Sequence, residues 1–185
     1  MVGLAPDGKS LAFALAPGST PFASFLPEAT EGAEAELCEQ GRALAADIGA
    51  RTMRDGGWAL IVDYGRDVSG PGSSLQAVRA HRGADVLERP GETDLSTHVD
   101  FAALAAASKA RVFGPTGQGD FLQRLGIRQR AEMLAARASP AQRHAVDAAL
   151  QRLIAPDQMG TLFRVMAVGD DRSAVPAGFE PVFQA

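Results

Sequence analysis

Apolar and polar positions along this chain switch between two periods, and the switches outline its elements. Val2–Ala5 and Leu11–Leu15 are short apolar runs, and Pro6-Asp7-Gly8-Lys9 between them is turn chemistry. Residues 1–16 therefore read as a β-hairpin. A loop follows, punctuated by Pro17, Gly18, Pro21 and Pro27. From Glu34 to Arg54, Leu37, Leu44, Ile48 and Met53 recur at helical spacing, while Glu36, Glu39, Arg42 and Asp47 face elsewhere. Gly56-Gly57 ends that helix. Trp58-Ala-Leu-Ile-Val is a continuous apolar run closed by Asp63, Tyr64 and Gly65. It reads as a buried strand of a sheet covered on both faces, with Asp63 and Tyr64 at the carboxyl end, where ligands bind in such sheets.

The polar, glycine-rich stretch from Arg66 to Pro90 reads as one long loop, a kind that is often functional. Asp94 or Ser96 is expected to cap a helix running to about Ser108. Ala110–Gly114 is a short strand, and Asp120–Leu125 and Arg128–Ala138 are helices interrupted near Gly126. Ser139-Pro140 starts another helix, with Ser at the N-cap and Pro at the first helical position, and it extends to Ile154. Gly160–Val168 is a last strand, expected near a sheet edge because Arg164 lies inside it. The tail 169–185, with Pro176, Gly178 and Pro181, reads as loosely held. Alternating helices and strands predict an α/β fold in a single domain spanning residues 1–185.

Composition narrows the function classes. With 185 residues, 46% hydrophobic and 22% charged, the chain is of ordinary globular type and single-domain size. A net charge of -4 gives no general grip on nucleic acid, and 6% aromatic content offers few stacking platforms for single strands. No apolar run is long enough for a membrane span. Asp7, Lys9 and Ser10 interrupt the N-terminal apolar residues, so no secretory signal is expected. The single cysteine, Cys38, excludes an internal disulfide and a multi-cysteine zinc site. A reducing compartment is the default, read here as cytoplasmic.

Candidate chemistry concentrates between Asp63 and Asp100. That segment holds Asp63, Tyr64, Gln76, Arg79, His81, Glu92, Asp94, His98 and Asp100. His81, His98, Asp94 and Asp100 have the atom types of a metal site, and His98-Val-Asp100 has facial-triad spacing. A histidine bonded to a neighbouring carboxylate is the commoner use of such residues, and no metal is assigned. The turn Gly114-Pro-Thr-Gly117-Gln118-Gly119 follows a strand and precedes a helix. It lacks the Gly-Lys-Ser/Thr of a P-loop. It reads less as a phosphate cradle than as a turn bringing Gln118 over the strand ends. No Gly-x-Ser-x-Gly elbow is present.

Several strings, taken in order, resemble one family. They are Leu60-Ile-Val-Asp63-Tyr64-Gly65, Ser74-Leu-Gln76-Ala-Val-Arg79-Ala-His81 and Pro90-Gly91-Glu92-Thr-Asp94-Leu-Ser-Thr-His98-Val-Asp100-Phe101. Gly114 to Ile127 and Met159-Gly160-Thr161-Leu162-Phe163 continue the match. Together they are similar to the C-terminal half of the MidA family of class I S-adenosylmethionine-dependent methyltransferases, which includes mitochondrial complex I assembly factors with protein-arginine methyltransferase activity. The resemblance implies the last strands of a Rossmann-like sheet, with the N-terminal hairpin and added helices around them. The strand ending at Asp63 would be the fifth, and the two later strands its closing antiparallel pair.

Family members are about twice as long as this chain. Their cofactor loop, an acidic residue followed by Gly-x-Gly-x-Gly, and their Asn-Glu-Phe-type motif have no counterpart here. The resemblance therefore implies S-adenosylmethionine as cofactor, with its main loop outside this chain. It fits a truncated product, a half that works with a separate N-terminal half or as a homodimer, or a protein that has lost catalysis. A protein substrate is implied, with a complex I subunit as candidate. In the implied chemistry Asp63, His98 and Asp100 are catalytic. Tyr64, Gln76, Arg79, His81, Glu92, Asp94 and Gln118 contact substrate, their carboxylates gripping a guanidinium fork. A non-catalytic protein-binding or assembly module is the alternative.

Overall fold

The computed structural model describes residues 1–172 and 174–180. By its internal contacts the chain forms two compact units: Met1–Leu37 with Gly70–His98, and Cys38–Ser69 with Val99–Ala185.

The first unit opens with the expected hairpin, β1 (Val2–Leu4) and β2 (Leu11–Phe13), paired antiparallel with Leu4 opposite Leu11. The Arg66–Pro90 stretch is not one loop. It contains β4 (Gln76–Arg79) and β5 (Arg82–Ala84), a hairpin whose two-residue turn is Ala80-His81. Both turn residues have positive φ, 48° and 61°, the conformation that short hairpin turns require. Asp94–Ser96 does not cap a helix. Its polar-apolar-polar alternation suits a strand, β6, which pairs antiparallel with β4 to give the order β5-β4-β6.

The second unit is built on a four-stranded sheet of order β7-β3-β9-β8, where β3 is Trp58–Arg66, β7 Val99–Asp100, β8 Arg111–Gly117 and β9 Phe163–Gly169. β3 runs parallel to β7, and β9 lies antiparallel between β3 and β8. β9 is thus a central strand, not an edge strand. Arg164 is tolerated there because it sits near the strand's start, where its Nε lies 3.0 Å from Asp67 Oδ1.

Around the sheet lie α1 (Glu39–Asp55), α2 (Phe101–Ser108), α3 (Gln118–Arg124), α4 (Ile127–Ala135), α5 (Pro140–Ile154) and α6 (Met159–Leu162). α1 starts five residues later than its periodicity predicts. Glu34 and Glu36 are held in the first unit, where the Glu34 carbonyl accepts from Gly72 N–H and the Glu36 carboxylate accepts from Ser74 and Leu75. Cys38 then becomes the N-cap, its Sγ accepting from Gly41 N–H at 3.3 Å. α5 begins as its sequence signals, with a reciprocal capping box between Ser139 and Gln142.

One sheet face carries Ile61, Val112, Met166 and Val168, and packs on Phe101, Leu104 and Ile48 from α2 and α1. Phe101, Met166 and Val168 are completely buried there. On the other face Val165 and Ala167 are buried, but Leu60 and Val62 are 55% and 45% exposed. Over residues 169–172 and 174–180 the tail is not loose. Phe179 lies 5.2 Å from the Phe121 ring, and Arg124 donates to the Gly178 carbonyl at 3.2 Å. The expectation for Pro181–Ala185 lies outside the described residues.

Candidate functional site

The predicted site residues divide between the two units. Asp63, Tyr64, Asp100 and Gln118 belong to the second; Gln76, Arg79, His81, Glu92, Asp94 and His98 belong to the first.

In the second unit, β3 delivers Asp63 and Tyr64 to its carboxyl end, next to the parallel strand β7. Asp63 Oδ1 accepts from the Tyr64 N–H at 2.8 Å. The Tyr64 ring meets Phe163, its cross-strand partner, edge-on at 5.6 Å. Asp100 is the N-cap of α2, accepting from Ala103 N–H and from Ser69 Oγ, each at 2.9 Å. Its other oxygen lies 3.4 Å from Arg66 Nη2, across the β3–β7 register. Asp100 therefore holds a helix start and an ion pair, occupations that its reading as a catalytic carboxylate left out. His98-Val-Asp100 spacing followed by an apolar run was the available signal for a cap.

Gln118 departs from expectation. It does not shape a pocket wall: it is buried, and its Nε2 donates to the Leu153 carbonyl at 2.9 Å in the last turn of α5. The glycines beside it serve close packing. A Cβ on Gly119 would stand 2.6 Å from the Ile154 carbonyl oxygen, and one on Gly160 would stand 2.2 Å from the same atom. The open side of this turn is filled by protein, so it does not fit a phosphate or the adenosylmethionine cofactor.

In the first unit a buttress missed by sequence reading links two stretches far apart in the chain. Glu36 Oε1 accepts from Ser74 N–H at 2.7 Å and Leu75 N–H at 3.1 Å, and Oε2 accepts from Ser74 Oγ at 2.5 Å. Ser74 Oγ in turn accepts from the His98 N–H at 2.8 Å. The chain thereby fixes where β4 begins and β6 ends. Glu36 looked like the polar face of a helix, and only the Ser73-Ser74 pair hinted at a partner.

Beyond this buttress, Arg79 lies 3.4 Å from Glu88 and Glu92 lies 3.4 Å from Arg89. His81 stands exposed on the β4–β5 turn. The β4–β6 register puts Gln76 opposite Ser96 and Val78 opposite Asp94, so Gln76, Val78, Asp94 and Ser96 share one face. Among the described residues, no group of three or more His, Cys, Asp or Glu side chains gathers in metal-holding geometry.

Comparison with known proteins agrees with this architecture. The family described as "Putative S-adenosyl-L-methionine-dependent methyltransferase" matches residues 1–116. The protein arginine methyltransferase NDUFAF7 of Rattus norvegicus mitochondria is 32% identical over 166 residues, covering 88% of this chain and 37% of that protein. Its Danio rerio counterpart is 34% identical over 135 residues, covering 72% and 32%. The chain thus spans well under half the length of these relatives. Two structures from Burkholderia thailandensis, one bound to S-adenosyl-homocysteine, superpose with TM-scores of 0.74 and 0.72 at 24% identity. Each covers 96% of this chain, which covers 50% and 48% of theirs. The fold is the Rossmann-like class I type, and the chain belongs to the S-adenosyl-L-methionine-dependent methyltransferase family.

Proposed function

We propose that this chain is the substrate-side half of a protein arginine methyltransferase, with the cofactor's main loop supplied by polypeptide outside residues 1–185. The observation that carries the reading is the β3-β9-β8 arrangement, an antiparallel strand inserted between two that run the other way, with Asp63 and Tyr64 at the carboxyl end of β3. The names of the NDUFAF7 relatives support arginine as acceptor. By the same analogy a subunit of respiratory complex I is the proposed substrate. Those relatives are named as mitochondrial; for this chain the proposed compartment is a reducing, cytoplasmic one.

When bound, the cofactor supplies an electrophilic methyl group on sulfonium. The proposed contribution of this chain is to the acceptor. A guanidinium is always protonated in free solution, and a transfer to its nitrogen must be matched by loss of a proton. Carboxylates hold the fork, localise its charge and orient one nitrogen toward the methyl donor. Asp63 and Tyr64, at the carboxyl end of β3, are the residues proposed to make that alignment.

The second reading, a non-catalytic binding or assembly module, is favoured by one observation: Asp100 is already engaged by Ala103, Ser69 and Arg66. Calorimetry with S-adenosylmethionine separates the readings. The chain alone is expected not to bind it, and a mixture with a separately expressed N-terminal half is expected to bind it and to transfer methyl groups to an arginine peptide. Cofactor binding without methyl transfer favours the module. Tight binding by the chain alone would overturn the assignment of the cofactor loop to other polypeptide.

A further inference from the structure

Between β8 and β9 the chain makes a detour that the sheet does not require. The two strands are antiparallel neighbours, with Gly117 opposite Arg164. A two-residue turn can join such a pair. Here residues 118–162 intervene as α3 to α6. α3 and α6 pack against these strands, whereas α4 rests on α5 and α3 and buries only Ala131. Arg130, Met133, Leu134 and Arg137 follow at i, i+3, i+4 and i+7, so they form one stripe along α4 and its exit. All four are exposed, Met133 by 69% and Leu134 by 46%. Beside this stripe a cleft of about 440 Å³ opens toward the first turns of α5, lined by Leu134, Ala138, Ala145 and Val146 together with Arg137 and Gln142.

Charge sets the same surface apart. α4, α5 and their connection carry Arg128, Arg130, Arg137, Arg143 and Arg152 against Glu132 and Asp147, in a chain whose net charge is -4. Arg66 pairs with Asp100, and Arg164 with Asp67. Among the described residues, none of the five α4–α5 guanidiniums has a carboxylate partner. Arg128 donates to the Gln123 side chain and Arg143 to the Ala138 carbonyl, both neutral acceptors.

We infer that the α4–α5 surface is a docking site for a partner polypeptide, and that the segment it takes is an acidic amphipathic helix; this goes beyond the methyltransferase reading and does not rest on it. Exposed apolar side chains flanked by charge of one sign call for a partner with the opposite sign around apolar anchors. The stripe sets the spacing. Seven residues at helical rise place Arg130 and Arg137 about 10 Å apart along the axis. A docked helix with carboxylates two turns apart meets both, while the apolar residues between them cover Met133 and Leu134 and enter the cleft. Arginine suits such pairs, since its planar fork takes a carboxylate bidentately. A nucleic acid meets arginines through its phosphates and leaves Met133 and Leu134 uncovered. A helix lying on a membrane buries a continuous apolar face, where this surface has two side chains beside a cleft.

The test uses the chain, residues 1–185, and a fluorescein-labelled helical peptide of about four turns, with leucines at i, i+3, i+4 and i+7 and glutamates at most other positions. One control peptide has lysine in place of glutamate; another keeps the composition but scatters its leucines round the helix. Fluorescence anisotropy is expected to show binding of the glutamate peptide that weakens several-fold as salt rises to physiological strength. Amide NMR is expected to map it to residues 130–146. The control peptides are expected to bind about tenfold more weakly or worse. Arg130→Gln with Arg137→Gln is expected to weaken the glutamate peptide by a similar factor, and so is Met133→Ser with Leu134→Ser. All four positions are exposed, and both double variants are expected to keep the parental urea midpoint. Arg51→Gln, whose parent pairs with Asp47 on α1, is expected to leave binding intact. No binding, shifts that map elsewhere, or equal affinity for either control peptide would overturn the inference. Tighter binding at these same residues by a single-stranded oligonucleotide, or by vesicles containing phosphatidylglycerol, would overturn it as well. Methyl transfer by the chain with its N-terminal half is read separately, and its absence would remove the activity while the docking site stands.

Discussion

Single side chains in this molecule are read most clearly where short-range bonding decides their state. Asp7 in the β1–β2 turn is an example. Its Oδ2 accepts from Ser10 Oγ at 2.6 Å and its Oδ1 from the Lys9 and Ser10 N–H groups at 2.8 and 3.0 Å. The Ser10 hydroxyl, then the two backbone donors, lower its pKa from 3.8 to about 2. These bonds favour the charged carboxylate in the folded turn, so their contribution is present above the unfolded value and is lost as pH falls through about 2. An NMR titration of the Lys9 and Ser10 amides is expected to show a midpoint near 2, moving up toward 3.8 in Ser10→Ala. A midpoint already near 3.8 in the unaltered chain would overturn this account. The turn itself was legible from Pro6-Asp7-Gly8, because all its partners lie within three residues. The long-range bonds of Asp100 and Gln118 were not legible, for the opposite reason. Their partners, Ser69 and Leu153, lie 31 and 35 residues away, and no local pattern announces them.

Whole elements were legible where a strong local signal coincided with the tertiary demand. β3 announces itself by an unbroken apolar run, and α5 by Ser139-Pro140 with Gln142 three residues past the cap. The short strands β4, β5 and β6 were not legible. With three or four residues each, they alternate too briefly for a period to emerge from a polar, glycine-rich stretch, and they exist because they pair with one another. The α1–α2 contact is likewise invisible to hydropathy, because it depends on an absent side chain. Gly49 lies mid-helix, and a Cβ there would sit 1.9 Å from the Ser108 carbonyl oxygen. Gly49→Ala is expected to destabilise the chain by roughly 1–3 kcal/mol despite the better helix propensity of alanine. Gly41→Ala in the same helix meets only Cys38 Sγ at 3.1 Å and the Leu104 side chain at 3.5 Å, and is expected to stay within about 1 kcal/mol of the parent. Urea unfolding midpoints measure both, and equal midpoints for the two variants would show that the helices part easily at Gly49.

For the molecule as a whole, the decisive feature is the unfinished side of the main sheet. Along β3 only Gly65 and Arg66 are paired with β7, and among the described residues no strand lies beside Trp58–Tyr64 on that side. Edge strands are ordinarily blunted by charge, proline or a bulge. Trp58-Ala-Leu-Ile-Val62 has none of these, and its Leu60 and Val62 stand half-exposed. The sequence of β3 is that of an interior strand. Pairing two copies through this edge satisfies the backbone but brings no layer over Leu60 and Val62. A parallel strand followed by its own crossover helix does both. The remaining half of the family polypeptide, about as long as this chain in the solved structures it matches, is the proposed source. The chain alone is expected to associate with rising concentration, giving light-scattering masses above its 19.3 kDa. Addition of the N-terminal half is expected to replace this by a one-to-one complex. Val62→Lys, which places a charge on the open face at the edge, is expected to return the chain alone to a monomer and to weaken the complex. A concentration-independent monomer that retains Val62 would mean that the edge is closed without a partner. Undiminished complex formation by Val62→Lys would place the joint between the halves elsewhere.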